Sequence, residues 1–130
     1  MEDIYFDDFI RHKSYGSEGY YKSSLTINEK NDFITSPNIS NFFGNVIGKF
    51  IAEKIHNKFN KEKFNVIEIG SNDGTLSLHV LDYLSKFNNK IYQQVNFFLV
   101  DSIKKKIKVV NEIYKSIGLK NIQASHSRIE

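Results

Sequence analysis

The feature that most restricts this chain is an alternation of patterns that begins at residue 64. The run Phe64-Asn65-Val66-Ile67-Glu68-Ile69 is short, rich in β-branched residues and stopped by Gly70, which predicts a strand. Leu76, Val80, Leu81, Leu84 and Phe87 then recur at helical spacing, and Asn88-Asn89 closes that stretch. Residues 95–100 read as a second apolar strand ending at Asp101. Ile103, Ile107, Val110, Tyr114 and Ile117 form a second helical stripe, Gly118 stands where a helix terminates, and residues 121–125 begin a third strand. Strand, helix, strand, helix, strand predicts an α/β fold of Rossmann-like type, with parallel strands joined by right-handed crossovers.

Upstream the pattern is different. Residues 1–36 are rich in aromatics without sustained period, and we expect a short helix near residues 4–11 followed by ordered loops. Ser40 is placed to cap a helix whose apolar residues Phe43, Val46, Ile47, Phe50, Ile51 and Ile55 carry it to about Phe59. Gly44 and Gly48 lie one turn apart in it and predict close packing against another element. The expected division is residues 1–60, an aromatic segment and helix, and 61–130, part of a cofactor-binding domain.

Composition excludes several classes. With 40% hydrophobic and 25% charged residues, a packed core is expected rather than a disordered chain. The N-terminus is acidic and no run of about 18 apolar residues occurs, so we expect a cytoplasmic protein without a membrane span. The absence of cysteine removes disulfides and thiolate metal sites, and the four histidines are scattered, so no metal is expected. A net charge of +3 is too mild to imply nucleic acid.

The chemistry concentrates at Glu68-Ile69-Gly70-Ser71-Asn72-Asp73-Gly74-Thr75-Leu76, where an open α/β sheet binds ligands beyond the carboxyl end of its first strand. Gly70 permits a sharp turn and close approach of a ligand to the backbone, and Gly74 lets the helix start near the strand. A tight turn with no ligand would also use this glycine pair. Glu68, an acid within an apolar strand, is expected to meet backbone amides or a ligand. Asp101 ends the second strand beside this turn, where its carboxylate can accept both hydroxyls of a ribose; it can equally cap the next helix, in competition with Ser102. It follows Gly70 by 31 positions, against about 20 in dinucleotide-binding chains.

These residues resemble the class I S-adenosylmethionine-dependent methyltransferases, whose first motif the segment from Glu68 to Leu76 matches except that Asn72 replaces a glycine. The resemblance implies S-adenosyl-L-methionine as cofactor, with Glu68, Gly70, Ser71, Asn72 and Gly74 around it and Asp101 on the ribose. Asn tolerates the left-handed conformation the glycine would supply. A second likeness lies upstream. Gly19-Tyr20-Tyr21 and the block from Asn31 to Gly44, N-D-F-I-T-S-P-N-I-S-N-F-F-G, are similar to signatures of the MidA (DUF185) family, with Asn31 in place of glycine. That family includes an arginine methyltransferase that assists assembly of mitochondrial complex I. The resemblance implies that Thr35, Ser36 and Pro37 lie near the cofactor and the substrate entrance, and that the acceptor is a protein side-chain nitrogen such as arginine. As a plain reading, residues 32–40 form a capping loop.

Other residues carry less. Lys104, Lys105, Lys106 and Lys108 cluster at a helix start and read as a solvated face, and His12 and His79 read as structural or surface residues. The class I fold has seven strands, so the resemblance implies an N-terminal portion with an incomplete sheet and a raw edge that a partner chain or a second copy would cover. A non-catalytic interaction module is therefore the alternative to an enzyme.

Overall fold

A computed structural model of the chain describes residues 5–20, 34–56, 63–102 and 104–127. The chain divides into two compact units, Met1–Phe33 and Ile34–Glu130. The first contains helix α1 (Phe6–Tyr15), which has Asp7 and Asp8 in its first turn and His12 and Lys13 in its last, as the helix dipole favours, and buries none of its residues. Tyr21 and the segment 31–33 of the upstream signatures lie outside the described residues, as do residues 57–62, which include the expected end of the second helix.

The second unit runs α2 (Ser36–Ile39), α3 (Phe42–His56), β1 (Phe64–Ile69), α4 (Thr75–Phe87), α5 (Asn89–Tyr92), β2 (Val95–Asp101), α6 (Lys104–Ser116) and β3 (Ile122–His126). The strands form one parallel sheet in the order β1-β2-β3. This is the expected α/β alternation, and β2 lies in the middle because each crossover helix advances the chain by one strand.

Register explains the core. Val66 pairs with Phe97, Glu68 with Leu99, and Leu99 with Ala124, so one face carries Phe64, Val66, Val95, Phe97, Leu99, Ile122 and Ala124. Val80, Leu81 and Leu84 of α4 and Ile107, Val110 and Tyr114 of α6 pack with that face into a single hydrophobic cluster. Leu84 and Leu99 have no accessible surface. The opposite face bears Ile67 and Ile69, which are 63% and 66% exposed. At the β3 edge, the Asn111 side chain occupies both outward backbone groups of Ala124, accepting its N–H at 3.0 Å and donating to its carbonyl at 2.7 Å. This amide blocks strand addition there. β1 has no second partner strand among the described residues.

Helix α3 packs on α4 through its glycines, as their spacing predicts. A Cβ at Gly44 would lie 2.3 Å from the Cβ of His79, and one at Gly48 would lie 2.7 Å from the Tyr83 ring. This contact ties α3 to α4, and the helix lies in the same compact unit as β1. α3 begins at Phe42, whose N–H lies 3.4 Å from Ser40 Oγ. Two short helices were not legible in the pattern. α2 sits in a polar segment with Pro37 at its start, and α5 follows directly on the Asn88 that terminates α4.

Candidate functional site

Strand β1 ends in a loop whose backbone alternates in hand. Gly70, Asn72 and Gly74 have φ of 73°, 49° and 76°, so every second residue from 70 to 74 is left-handed. Glycine adopts this region at no steric cost and asparagine at little, which is why these residue types occupy these places. The loop is pinned to the middle strand, since the N–H groups of Gly70 and Ser71 both reach the carbonyl of Val100, at 2.8 and 3.3 Å. Gly74 N–H returns to the Ser71 carbonyl at 2.8 Å and closes the turn.

Side chains from three directions hold the loop. Asp101, 8% exposed at the end of β2, accepts the Asn72 N–H on Oδ2 at 2.9 Å. Tyr114, buried in α6, donates its hydroxyl to the Gly74 carbonyl at 3.0 Å. A Cβ at Gly74 would fall 2.0 Å from that hydroxyl, so both the hand of the backbone and the space demand glycine. Burial pushes the Tyr114 hydroxyl well above its ordinary range, which keeps it a neutral donor. From α2, Asn38 donates to Asp73 Oδ2 at 3.1 Å, while Asp73 Oδ1 takes the N–H of Thr75, the first residue of α4, at 3.1 Å. Thr35 in turn donates to Asn38.

Glu68 points to the helix-covered face, half-buried, where its Oε2 accepts the Ser77 hydroxyl. Desolvation raises its pKa, and hydrogen bonds from Ser77 oppose the rise. Ser71 Oγ is buried without a hydrogen-bond partner. A Cβ at Gly70 would meet nothing within 4 Å, so the backbone there faces open space. An open cavity lined by Lys104, Ile107, Lys108 and His126 adjoins the ends of β2 and β3, where Asp101 and His126 share a register position.

The structure thus brings Gly70, Ser71, Asn72, Gly74 and Asp101 into one loop-and-strand-end arrangement, with Glu68 beneath it. Thr35 is tied to the same loop through Asn38, and Ser36 and Pro37 lie in the short helix between them. Sequence reading missed Asn38, Asp73, Ser77, Lys106 and Tyr114. Ser77 and Tyr114 carried a signal, a polar residue on the inward face of an apolar helix and a hydroxyl within a core stripe. Of the basic cluster, Lys106 is half-buried and donates to Asn72 Oδ1, Lys104 and Lys108 are exposed, and the side chain of Lys105 lies outside the described set. Among the described residues no group of three or more His, Asp and Glu side chains is arranged to hold a metal, and no helix is long and apolar enough to cross a membrane. His79 lies in the contact between α3 and α4, and His12 is exposed in α1.

A family model described as "Putative S-adenosyl-L-methionine-dependent methyltransferase" matches residues 46–115. The mitochondrial protein arginine methyltransferase NDUFAF7 homolog of Drosophila melanogaster is 36% identical over 69 residues, 53% of this chain and 16% of that protein. Its Caenorhabditis elegans counterpart is 36% identical over 76 residues, 55% of this chain and 18% of that protein. A ribosomal RNA small subunit methyltransferase G from Mycoplasmoides gallisepticum is 34% identical over 80 residues, 62% of this chain and 30% of that protein. The match therefore spans less than one fifth of the length of these two arginine methyltransferases. Among solved structures, coclaurine N-methyltransferase bound to N-methylheliamine and SAH aligns with a TM-score of 0.46 and 16% identity, over 76% of this chain and 24% of that one.

Proposed function

Since the chain belongs to the S-adenosyl-L-methionine-dependent methyltransferase family whose model covers residues 46–115, we propose that it forms the cofactor-binding part of a protein methyltransferase acting on a side-chain nitrogen such as arginine. The observation that carries the cofactor reading is the placement of the Asp101 carboxylate against the left-handed loop of residues 70–74. A carboxylate accepts hydroxyl donors without changing protonation, so Asp101 holds the ribose hydroxyls while its Oδ2 keeps the Asn72 N–H. The open space at Gly70 admits the methionine part of the cofactor to the backbone, and the unpartnered Ser71 hydroxyl is a donor or acceptor ready for its polar groups. The cavity lined by Ile107 and His126, the latter paired in register with Asp101, offers the base an apolar floor at Ile107.

When bound, the cofactor supplies an activated methyl group on a sulfonium, and the leaving group is neutral. The chain's own contribution is therefore alignment rather than acid-base work. α2, tethered by Asn38 to Asp73, brings Thr35, Ser36 and Pro37 next to the loop and forms the entrance for the acceptor. The arginine assignment draws on the arginine methyltransferases that match over about half the chain.

Isothermal titration with S-adenosylhomocysteine tests the proposal. We expect saturable binding that weakens about tenfold or more in Asp101→Ala, the scale of lost hydrogen bonds to a charged group, and weakens again in Gly70→Val. A folded, monodisperse chain that binds none would refute it.

A second reading, a module completed by a partner chain or a second copy, is favoured by one feature. β1 has no outer partner strand among the described residues, and its own Ile67 and Ile69 are exposed, whereas Asn111 closes the β3 edge. Light scattering over a concentration series, with Ile67→Lys for comparison, checks whether that face associates.

A further inference from the structure

We propose that Lys106 is a positioning residue for the cofactor loop and works through Asn72; the proposal rests on the cofactor reading above. Three observations carry it. Asn72 is the one non-glycine residue with positive φ among the described residues. Its side-chain Oδ1 accepts a hydrogen bond from the ammonium of Lys106, and its backbone N–H is held by Asp101. Lys106 lies in the first turn of α6, where the helix dipole disfavours a cation, and it is half-buried while Lys104 and Lys108 are exposed.

A cation at the unfavoured end of a helix, partly withdrawn from water, needs a compensating acceptor, and Asn72 Oδ1 supplies one. The same bond restrains a residue whose backbone is less at ease in the left-handed region than glycine would be. With Asn72 fixed from its side chain, its N–H stays on Asp101 and the carboxylate is held in one orientation at the loop. Lys106 thus touches neither cofactor nor acceptor in this role and acts only through residue 72. Glycine at position 72 would take the same φ unaided, so dependence on Lys106 belongs to the asparagine.

Two measurements on the full chain test this: amide hydrogen exchange of residues 70–75 without ligand, and titration with S-adenosylhomocysteine. Lys106→Met is expected to speed exchange in the loop and to weaken binding about five- to tenfold. Lys106→Arg, which keeps a charged donor, retains most of both. Lys115→Met, at an exposed position in the last turn of α6, changes neither. In an Asn72→Gly background, Lys106→Met has no further effect. Unchanged loop exchange in Lys106→Met overturns the proposal, and so does an equal loss in the Asn72→Gly background, which would mean direct action on the cofactor. If the unmutated chain fails to bind S-adenosylhomocysteine, the cofactor reading falls, and the exchange data alone still decide whether Lys106 orders the loop through Asn72.

Discussion

Glu68 and Gly74 show how much of the site is decided by single side chains. Glu68 is shifted upward chiefly by desolvation, so the folded chain holds its proton more tightly than the unfolded chain does. The stability linked to that proton is fully present below the ordinary value of 4.5 and is lost as pH rises through the raised folded value. Glu68→Gln keeps an acceptor for Ser77 and removes the titration. We expect the urea-unfolding stability of the parent chain, relative to Glu68→Gln, to fall as pH rises above the ordinary carboxyl value of 4.5. Gly74→Ala acts differently, because its Cβ must enter the space of the Tyr114 hydroxyl at a left-handed backbone position. The expected loss is at least about 2 kcal/mol by equilibrium denaturation. In a Tyr114→Phe background the additional loss is smaller, since the colliding oxygen is gone.

At the scale of elements, α3 and α4 are joined by a contact that admits no side chain on one partner. Gly44→Ala sets Cβ against the Cβ of His79, a stem that cannot swing away, so α3 must shift as a body. Alanine gains about 1 kcal/mol in helix propensity, and the overpacking is expected to exceed that by about 1–2 kcal/mol. Gly48→Ala meets the Tyr83 ring instead, so Tyr83→Ala is expected to relieve it, whereas His79→Ala does not relieve Gly44→Ala because the Cβ remains. Thermal unfolding of the four single variants and two pairs measures both couplings. These elements were legible in advance because their signals are local: a β-branched run for β1, an apolar run for β2, apolar periods for α4 and α6, and paired glycines for the helix contact. α2 and α5 have four residues each, too few to express a period, and depend on caps and neighbours.

For the molecule as a whole, sheet order and the covered face follow from the alternation of elements, whereas the site depends on pairs far apart in sequence. Asp101 meets Asn72 across 29 positions, Lys106 meets the same asparagine across 34, and Tyr114 meets Gly74 across 40. Position in the fold identified Asp101 because strand ends in α/β sheets gather at one edge. Nothing local marks Lys106 apart from Lys104 or Lys108, since only the packed geometry turns one of them toward the loop. The exposed Ile67 and Ile69 belong to this scale too. Among the described residues they are exposed on the β1 side of the sheet, in a chain whose match covers less than one fifth of its arginine methyltransferase relatives.

The central claim is that the left-handed loop and Asp101 form a cofactor site, and two-dimensional amide NMR of the full chain during titration with S-adenosylhomocysteine tests it most directly. Saturable shifts concentrated at residues 70–75 and at 101–102 are expected. Absence of saturable shifts, or shifts confined to residues away from the β1 and β2 strand ends, would contradict it.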